Sequence, residues 1–483
     1  MRPTSNWTAT WARFRPEAEA LYDLGTGRRW SWAMLHRDTL RWAGRLKALG
    51  VVPGDRVAVL ALNRAETLAL LFACAELGAI LVPLNWRLTA TELRAQLAVV
   101  TPRVVYADAR HHDVLGGESL EDGPGEVEAE GPGAPLEAPW VLMFTSGSTG
   151  QPKAAQLTHG QLHWNALNTT LACDLQPSDA TLTFAPLFHT GGLNCLTTPL
   201  LHRGGRVVLA PGFDVAEGLR VIAAERITLL MAVPTMYQML ADDPGFETTD
   251  LSSVRDALCG GAALPLPLLR RYLARGFPLR QGFGMTEVGP NCFSLPPADA
   301  ERKSGSVGLP IHHVAARLVR PDGTACGVDE PGELLLAGPA VFGGYWQNAA
   351  ATAACLRDGW FHTGDVLHQD TEGFFYVSGR IKEMYISGGE NVFPAEVEAA
   401  LLGLAGVAEA AVVGVPDPRW GETGVAWVRP HAGEGLDAVA LGVALRDRLA
   451  RYKLPRRIHV VDALPRTASG KIDKPALRTS ELP

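Results

Sequence analysis

The sequence lacks an apolar run long enough to cross a membrane. Its most apolar stretch, residues 68–84, is interrupted by Glu76, and a proline near its end suits a buried helix followed by a strand. Residues 1–15 mix polar and aromatic side chains without an apolar centre, which argues against a signal peptide. We therefore expect a cytoplasmic protein without an integral membrane span.

Paired cysteines and an excess of basic residues are also absent. The seven cysteines are scattered and never form a Cys-x-x-Cys pair, which makes a zinc site or a disulfide framework a poor fit and predicts reduced, mostly buried thiols. The formal net charge is -7, so no global positive field would attract nucleic acid. A polyanionic ligand must therefore be bound by a local site.

A chain of 483 residues is too long for one compact core, and two or more domains are expected. Strand and helix patterns alternate, with a strand at 56–60, a helix at 66–78 and a strand at 79–82. A second alternating block covers residues 181–283. This alternation predicts an α/β fold with two helix-flanked, mainly parallel sheets.

Between and after these blocks the pattern changes. Residues 116–139 are rich in Gly, Pro and Glu and predict an exposed acidic loop or linker. From Gly308 onwards, short strands with turn dipeptides predict a small β-barrel-like subdomain. We place a domain boundary at 380–382, which separates a large N-terminal domain at 1–380 from a small α+β C-terminal domain at 383–483.

The clearest chemical signal is a loop rich in hydroxyl groups and glycine that directly follows a predicted strand and ends in a lysine. It reads Thr145, Ser146, Gly147, Ser148, Thr149, Gly150, Gln151, Pro152, Lys153. Backbone N–H groups and hydroxyls in such a loop can bind a polyphosphate. It is not a Walker A loop, because Pro152 precedes the lysine and Ala154 replaces the hydroxyl residue that would bind Mg²⁺. The alternative is a solvated Ser/Gly turn.

This loop resembles the phosphate-binding motif of the AMP-forming adenylating superfamily of acyl-CoA synthetases, luciferases and peptide-synthetase adenylation domains. Seven further segments resemble motifs of that family in the required order: 186–192, 259–264, 281–287, 359–365, 379–383, 387–391 and 465–474. The resemblance implies the family's fold, with a small, mobile C-terminal domain and a hinge at 381–382, and its ligands: ATP, Mg²⁺, a small-molecule carboxylic acid and coenzyme A.

The resemblance also implies roles for individual residues. Those expected to bind ATP or AMP are Thr145, Ser146, Gly147, Ser148, Thr149, Gly150, Lys153, Gly260, Gly261, Ala262, Gly282, Phe283, Gly284, Met285, Thr286, Asp365 and Arg380. Glu287, with Thr145, is assigned to Mg²⁺, since a carboxylate beside polyphosphate must hold a cation. Phe283 stands where the family usually has Tyr, so adenine stacking is kept and a phenol hydrogen bond is lost.

Three residues are assigned to catalysis: Lys471, His189 and Lys382. Lys471 would neutralise the carboxylate and the α-phosphate as they meet. His189 would border the acyl carboxylate and the thiol entrance, and Lys382 matches the family's hinge. Lys471 and His189 have ordinary alternatives, a surface lysine and a structural histidine, and the ordinary alternative for Asp365 is a turn residue.

The acyl group and coenzyme A are expected at Phe188, His189, Asn194, Val233, Thr235, Val288, Gly388 and Gly389. Because the acyl-side residues are small or apolar, a fatty or aromatic monoacid is expected, and we favour a fatty acyl-CoA synthetase. The alternatives are a 2-succinylbenzoate- or aryl-CoA ligase, an adenylating enzyme that loads a separate carrier protein, and a catalytically silent nucleotide-binding regulator. The sequence leaves a homodimer open.

Overall fold

The computed structural model describes residues 6–145, 152–387, 390–467 and 471–481. By its internal contacts the chain divides into two units. The first unit comprises residues 1–315 and 336–361, and the second comprises residues 316–335 and 362–483. Contacts within one conformation do not report a hinge, so the division at 381–382 stays a prediction.

The first unit begins with a six-stranded sheet and the elements that precede it. In chain order these elements are α1 (Trp7–Phe14), β1 (Glu19–Asp23), β2 (Arg29–Ser31), α2 (Trp32–Ala48), β3 (Arg56–Leu60), α3 (Ala65–Leu77), β4 (Ile80–Pro83), α4 (Ala90–Val100), β5 (Val104–Ala107), α5 (His112–Leu115), β6 (Glu118–Ser119), β7 (Pro139–Thr145) and β8 (Lys153–Thr158). The strand order is β6-β5-β3-β4-β7-β8, and all neighbours except β7 and β8 are parallel.

The second sheet of the first unit follows the same pattern. Its elements are α6 (His159–Cys173), β9 (Ala180–Thr183), α7 (Thr190–Gly192), α8 (Thr198–Arg203), β10 (Arg206–Leu209), α9 (Val215–Ala224), β11 (Leu229–Ala232), α10 (Pro234–Asp242), β12 (Asp256–Cys259), α11 (Leu266–Ala274), β13 (Leu279–Met285), β14 (Gly289–Ser294) and β15 (Ser306–Pro310). Strands β13, β12, β11, β9, β10 and β1 are parallel neighbours in that order. The predicted pair of mainly parallel sheets is therefore confirmed.

Local chemistry explains where several of these elements begin and end. Almost every residue of α3 is buried, which fits its nearly unbroken apolar sequence, and Gly78 ends the helix with φ of 68°. Helix α4 begins with a capping box between Thr89 and Glu92. Helix α11 begins after Pro265, as its sequence predicts.

The segment at 116–139 is largely irregular and many of its residues are exposed, as predicted, but it is attached to two helices. The Ala129 N–H donates to the Leu40 carbonyl oxygen of α2, and the Gly133 N–H donates to the Glu76 carbonyl oxygen of α3. A Cβ atom at Gly131 would lie 1.9 Å from the Glu76 carbonyl oxygen. The glycines of this segment therefore allow it to pack tightly against two helices, whereas composition alone suggested solvation.

Most of the remaining elements lie in the second unit, but α12 and β18 lie in the first, and β16, β17 and β19 have residues in both. In chain order, the remaining elements are β16 (Ala315–Val319), β17 (Gly332–Ala337), α12 (Ala349–Cys355), β18 (Leu356–Arg357), β19 (Trp360–Gln369), β20 (Phe375–Arg380), β21 (Tyr385–Ser387), β22 (Glu390–Val392), α13 (Pro394–Leu402), β23 (Val407–Asp417), β24 (Gly421–Pro430), α14 (Ala438–Leu445), β25 (Arg457–Val460) and α15 (Lys474–Glu481). A five-stranded sheet has the order β22-β21-β24-β23, with β25 parallel to β24. Its apolar face packs against α13 and α14 around Val412, Ala426 and Val428. Among the described helices, none has both the length and the apolar character that crossing a bilayer requires.

Candidate active site

The predicted phosphate loop joins the two antiparallel strands β7 and β8. Thr145 at the end of β7 lies directly opposite Lys153 at the start of β8. The predicted phosphate ligands between them, Ser146, Gly147, Ser148, Thr149 and Gly150, lie outside the described residues. The strand pair therefore fixes the two ends of the loop next to each other.

The carboxylate of Glu287 is held by a tyrosine hydroxyl. Strand β13 ends at Met285, so Thr286 and Glu287 directly follow a strand end, as predicted. The Tyr345 hydroxyl donates a hydrogen bond to Glu287 Oε1 over 2.8 Å. Burial, together with the nearby Glu287 charge, raises the pKa of Tyr345, so its hydroxyl stays protonated and donates at neutral pH.

Tyr345 also belongs to a segment that pairs with β8. Tyr345 and Ala155 form an antiparallel β-bridge, and the Trp346 N–H donates to the Ala154 carbonyl oxygen over 2.8 Å. Lys153 Nζ lies 5.6 Å from the centroid of the Tyr345 ring, on the strand that follows the phosphate loop. Tyr345 therefore connects the predicted phosphate lysine with the predicted metal carboxylate.

These residues fit a Mg²⁺ ion. Within the described residues, Glu287 Oε2 has no hydrogen-bond partner, and no ion pair joins Glu287 to Lys153. A carboxylate that receives only a neutral hydroxyl keeps its full negative charge, which is what a hard divalent cation requires from an oxygen ligand. Its role in metal binding stays a prediction.

The predicted adenine-side residues form one connected pair of loops. Gly260, Gly261 and Ala262 follow β12, and a Cβ atom at Gly260 would lie 3.7 Å from the Gly282 carbonyl oxygen. The side chain of Gln281 ties them together, because its Nε2 donates to the carbonyl oxygens of Cys259 and Ala262. Its Oε1 accepts from the Leu264 N–H over 2.7 Å. Gln281 lies in the sequence motif at 281–287, but the motif alone indicates no role for it.

Close packing explains why a glycine, Gly284, follows Phe283 in the motif at 281–287. A Cβ atom at Gly284 would lie 2.2 Å from backbone atoms of Pro290, so a side chain there would displace β14. The Phe283 ring contacts the edge of Phe293, with 5.8 Å between centroids and an interplanar angle of 77°. Phe283 is half-buried, which leaves part of the ring available for stacking.

On the predicted acyl side, His189 begins the short helix α7. Its Nδ1 accepts a hydrogen bond from the Gly191 N–H over 3.1 Å, and its side chain is exposed. A Cβ atom at Gly191 would lie 2.7 Å from Met231 Cε, which places this methionine beside the His189 loop. Sequence reasoning missed Met231, because an apolar residue in an apolar strand gives no signal of its own. In the structure Met231 is half-buried in an otherwise buried strand, as expected for a residue that lines a cavity.

The other predicted acyl residues have different surroundings. Asn194 is 1% exposed, and its side chain exchanges hydrogen bonds with Thr190 of α7 and Thr198 of α8, so its polar atoms are engaged within this helical segment. Val233 lies 3.5 Å from a Cβ built at Gly261, whereas Thr235 is exposed and Val288 is buried. Their predicted contacts with an acyl group stay predictions.

In the second unit, the predicted ribose ligands meet on neighbouring strands. Asp365 of β19 pairs with Arg380 of β20, and Arg380 Nε lies 2.7 Å from Asp365 Oδ1. The side chain of Asp365 is 5% exposed and that of Arg380 is 59% exposed. The Asp365 N–H donates to Thr363 Oγ1 over 3.0 Å, which fixes the backbone of this turn.

The two predicted catalytic lysines of this unit are exposed. Lys382 lies in the turn after β20, and the Lys471 carbonyl oxygen accepts a hydrogen bond from the Thr467 N–H over 2.7 Å. Gly388 and Gly389, the predicted pantetheine contacts, lie outside the described residues. The roles of all four stay predictions.

Three residues after Lys471, a lysine that sequence reasoning missed joins two carboxylates. Lys474 Nζ lies 2.8 Å from Glu383 and 2.9 Å from Glu398, and its side chain is largely buried. Burial opposes its charge, but the charges of Glu398 and Glu383 outweigh that effect and raise the pKa of Lys474. This cluster connects the segment of Lys471 with the residue next to Lys382.

Comparison with known proteins places this geometry in a family. The family model of AMP-binding enzymes matches residues 8–346, and the model of the AMP-binding enzyme C-terminal domain matches residues 396–471. The first match alone covers more than half of the chain. The chain therefore belongs to the family of AMP-binding enzymes.

Individual relatives narrow the class. A feruloyl-CoA synthase of Amycolatopsis sp is 45% identical over 98% of both chains, and an indoleacetate–CoA ligase of Aromatoleum aromaticum is 43% identical over 93% and 92%. The structure of the Bacillus subtilis o-succinylbenzoate coenzyme A synthetase in complex with ATP and magnesium superposes with a TM-score of 0.89 at 34% identity, covering 98% of both chains. The predicted superfamily, the fold class and the class of AMP-forming acid–CoA ligase with ATP, Mg²⁺ and CoA are confirmed.

Proposed function

We propose that the chain activates an aromatic carboxylic acid as its acyl adenylate and then transfers the acyl group to coenzyme A. Support comes from two relatives that are 45% and 43% identical and whose names give the aromatic acids ferulate and indoleacetate. A fatty-acid–CoA ligase of Mycobacterium tuberculosis is 33% identical. Among the two monoacid classes expected from the sequence, we therefore choose the aromatic acid.

The observation that carries the adenylation step is the contact between Tyr345 and Glu287 beside Lys153. Tyr345 contacts both the Glu287 carboxylate and the Lys153 side chain, and Lys153 lies opposite Thr145 at the ends of the phosphate loop. Lys153 and the loop residues would bind the phosphates. Glu287 and Thr145 would hold Mg²⁺, which supplies positive charge to the polyphosphate when bound.

In the first half-reaction, a carboxylate oxygen of the acid attacks the α-phosphorus of ATP. The bond between that phosphorus and its bridging oxygen breaks, and pyrophosphate leaves. Two anions approach each other in this step, so we assign Lys471 to the developing negative charge. Asp365 and Arg380 would bind the ribose hydroxyls, and Phe283 would stack on adenine.

In the second half-reaction, the thiol sulfur of coenzyme A attacks the acyl carbonyl carbon after losing its proton. The acyl–phosphate bond breaks and AMP leaves, which gives the thioester. We assign His189 to the border of this reaction centre, Gly388 and Gly389 to the pantetheine arm, and Lys382 to the hinge between the two half-reactions. Reaction in the cytoplasm and assembly as a homodimer stay predictions.

A second candidate is an aromatic acid with an additional carboxylate, such as 2-succinylbenzoate. The guanidinium of Arg87 lies 5.7 Å from the ring centroid of Phe188, a predicted acyl residue. A cation there would pair with a second carboxylate on the substrate. Sequence reasoning found no such charge, because Arg87 is about 100 residues away from Phe188 in the chain.

The test is a panel of acids with ATP, Mg²⁺ and CoA. We expect ferulate or indoleacetate to give AMP, pyrophosphate and an aryl-CoA thioester in equal amounts. Their kcat/KM should be at least about tenfold above that of dodecanoate, because a mismatch the size of one or two methylene groups in an apolar pocket already lowers kcat/KM by about that factor. Preference for 2-succinylbenzoate would establish the second candidate. A preference for dodecanoate, or thioester formation only on an added carrier protein, would refute the proposal.

A further inference from the structure

The hydroxyl of Tyr345 is the one described group that holds the Glu287 side chain. Glu287 lies in a turn after β13, where a glutamate side chain has three torsions to fix before it can bind a metal ion. Within the described residues, its only side-chain hydrogen bond is the one from Tyr345 to Oε1. The geometry of Glu287 therefore depends on this tyrosine.

The Glu287 turn is attached at a second point to the same segment. The Phe342 N–H donates to the Glu287 carbonyl oxygen over 2.7 Å, and the rings of Phe342 and Tyr345 pack edge to face with centroids 5.0 Å apart. The backbone and the side chain of Glu287 are thus both held by residues 342–345. Movement of this short segment would move the carboxylate with it.

Tyr345 is itself well fixed. Its N–H donates to Thr352 Oγ1 over 2.9 Å, and its backbone pairs with Ala155 of β8. Its half-buried ring packs against Phe342, which restricts how far the hydroxyl can turn away from Glu287. The donor is therefore set in place before any ligand arrives, and no entropy is lost in placing it when the ion binds.

The neutral character of this donor matters. A lysine or arginine at the same place would orient Glu287 equally well but would cancel the charge that attracts the cation. Lys153 is close by, yet it lies over the face of the Tyr345 ring and makes no ion pair with Glu287 among the described residues. Orientation and charge are thereby supplied separately, by a hydroxyl and a carboxylate.

We propose that Tyr345 is a positioning residue for the metal site: its hydroxyl orients Glu287 so that Oε2 faces Mg²⁺. This inference rests on the proposed role of Glu287 as a metal ligand. Residues that orient metal ligands in this way typically contribute about 10- to 100-fold to metal affinity. Tyr345→Phe keeps the ring and removes only the hydroxyl, so it isolates that contribution.

The experiment measures Mn²⁺ binding in the presence of ATP and without acid, by the electron paramagnetic resonance signal of free Mn²⁺. We expect Tyr345→Phe to weaken Mn²⁺ binding about 10- to 100-fold and Glu287→Gln to weaken it at least as much. Tyr376→Phe is the matched control, because it also removes a tyrosine hydroxyl that donates to a carboxylate, Asp370 Oδ2 at 3.2 Å. It should bind Mn²⁺ as the wild type does.

A double-mutant cycle separates positioning from a general loss of structure. If Tyr345 acts through Glu287, Tyr345→Phe should cause no further loss in the Glu287→Gln background. An equal further loss in that background would overturn the inference, as would unchanged Mn²⁺ binding by Tyr345→Phe alone. Wild-type Mn²⁺ binding by Glu287→Gln would instead refute the metal role in the proposed function, so the two failures are distinct.

Discussion

Glu287 and Asp365 are the two carboxylates that the sequence assigns to the nucleotide, and the two units hold them with different kinds of donor. In the first unit, Glu287 receives a neutral hydroxyl from Tyr345. In the second unit, Asp365 is paired with the guanidinium of Arg380, and its side chain is almost fully buried. The partner of each carboxylate matches the ligand that we assign to it.

The difference follows from electrostatics. A carboxylate that is to bind Mg²⁺ must keep its charge, so a neutral donor is the appropriate support for Glu287. A carboxylate that is to accept hydrogen bonds from uncharged ribose hydroxyls does not need a net negative charge around it. Pairing with Arg380 holds the Asp365 side chain in place without impairing that role.

Lys474 is a second example of paired charge in the second unit. Its replacement is expected to have the largest effect on stability. Lys474→Met leaves Glu383 and Glu398 without their shared cation, and Glu398, which is largely but not fully buried, also accepts from the Val412 N–H. Removing one partner of a fully buried ion pair typically costs about 3–5 kcal/mol, and we expect the lower end of that range for these groups. We expect faster hydrogen exchange in strands β23 and β24, measured by mass spectrometry.

A lysine that pairs with a single carboxylate provides the control for that variant. Lys453 Nζ lies 2.5 Å from Glu396, with side-chain exposures of 20% and 40%, whereas Lys474 bridges two carboxylates. Such a pair contributes about 0–1 kcal/mol, so Lys453→Met should leave the exchange of these strands nearly unchanged. Equal effects of the two variants would show that the buried charge cluster does not stabilise the second unit.

Asp365→Asn sharpens the comparison of the two site carboxylates. A hydrogen bond to a charged group contributes about 1.5–3 kcal/mol, so KM for ATP should rise about 10- to 100-fold while the Mg²⁺ dependence stays unchanged. The variant should also lose discrimination between ATP and its 2′-deoxy analogue, which steady-state kinetics measure. Asp370→Asn, in the loop after β19, serves as the control.

If Asp365→Asn instead shifted the Mg²⁺ dependence and kept its preference for ATP over the deoxy analogue, the assignment of the two carboxylates would have to be exchanged.

The smallest expected effect concerns a buried neutral group of the first unit. His159 is 1% exposed and stacks on Trp140, and burial lowers the pKa of His159 to about 4. A histidine with a lowered folded-state pKa stabilises the protein fully above its unfolded pKa of about 6.5, and this contribution is lost as the pH falls towards 4. The loss between pH 6.5 and 5 should be about 1–2 kcal/mol.

His159→Phe keeps an aromatic ring beside Trp140 and removes the titration. We expect a shallower decline of the urea midpoint between pH 7 and 5 than in the wild type, while the exposed His431→Gln should follow the wild type. An unchanged slope in His159→Phe would show that this imidazole does not couple to folding.

Much of the fold and the order of the site motifs could be predicted because they depend on local pattern. Glu287 follows β13 and the glycines at 260–261 follow β12, as the alternation of strands and helices indicated. Tyr345 and Lys474 could not be found in this way. Tyr345 lies 58 residues from Glu287, and Lys474 lies 91 residues from Glu383, so only the folded chain brings them together.

The loop at 116–139 shows what composition leaves out. Its composition predicted an exposed loop, and much of it is exposed, but Gly131 and its neighbours also pack against backbone atoms of two helices. A glycine in a polar segment can permit close approach as well as flexibility, and composition does not distinguish these uses.

The most direct test of an acyl adenylate formed before the thiol reacts is exchange of labelled pyrophosphate into ATP with ferulate present and CoA absent. We expect rapid exchange by the wild type and a loss of about 10²–10³ in Lys471→Ala, the usual effect of removing one charge-stabilising group. Absence of exchange by the wild type without CoA, or undiminished exchange by Lys471→Ala, would contradict this mechanism.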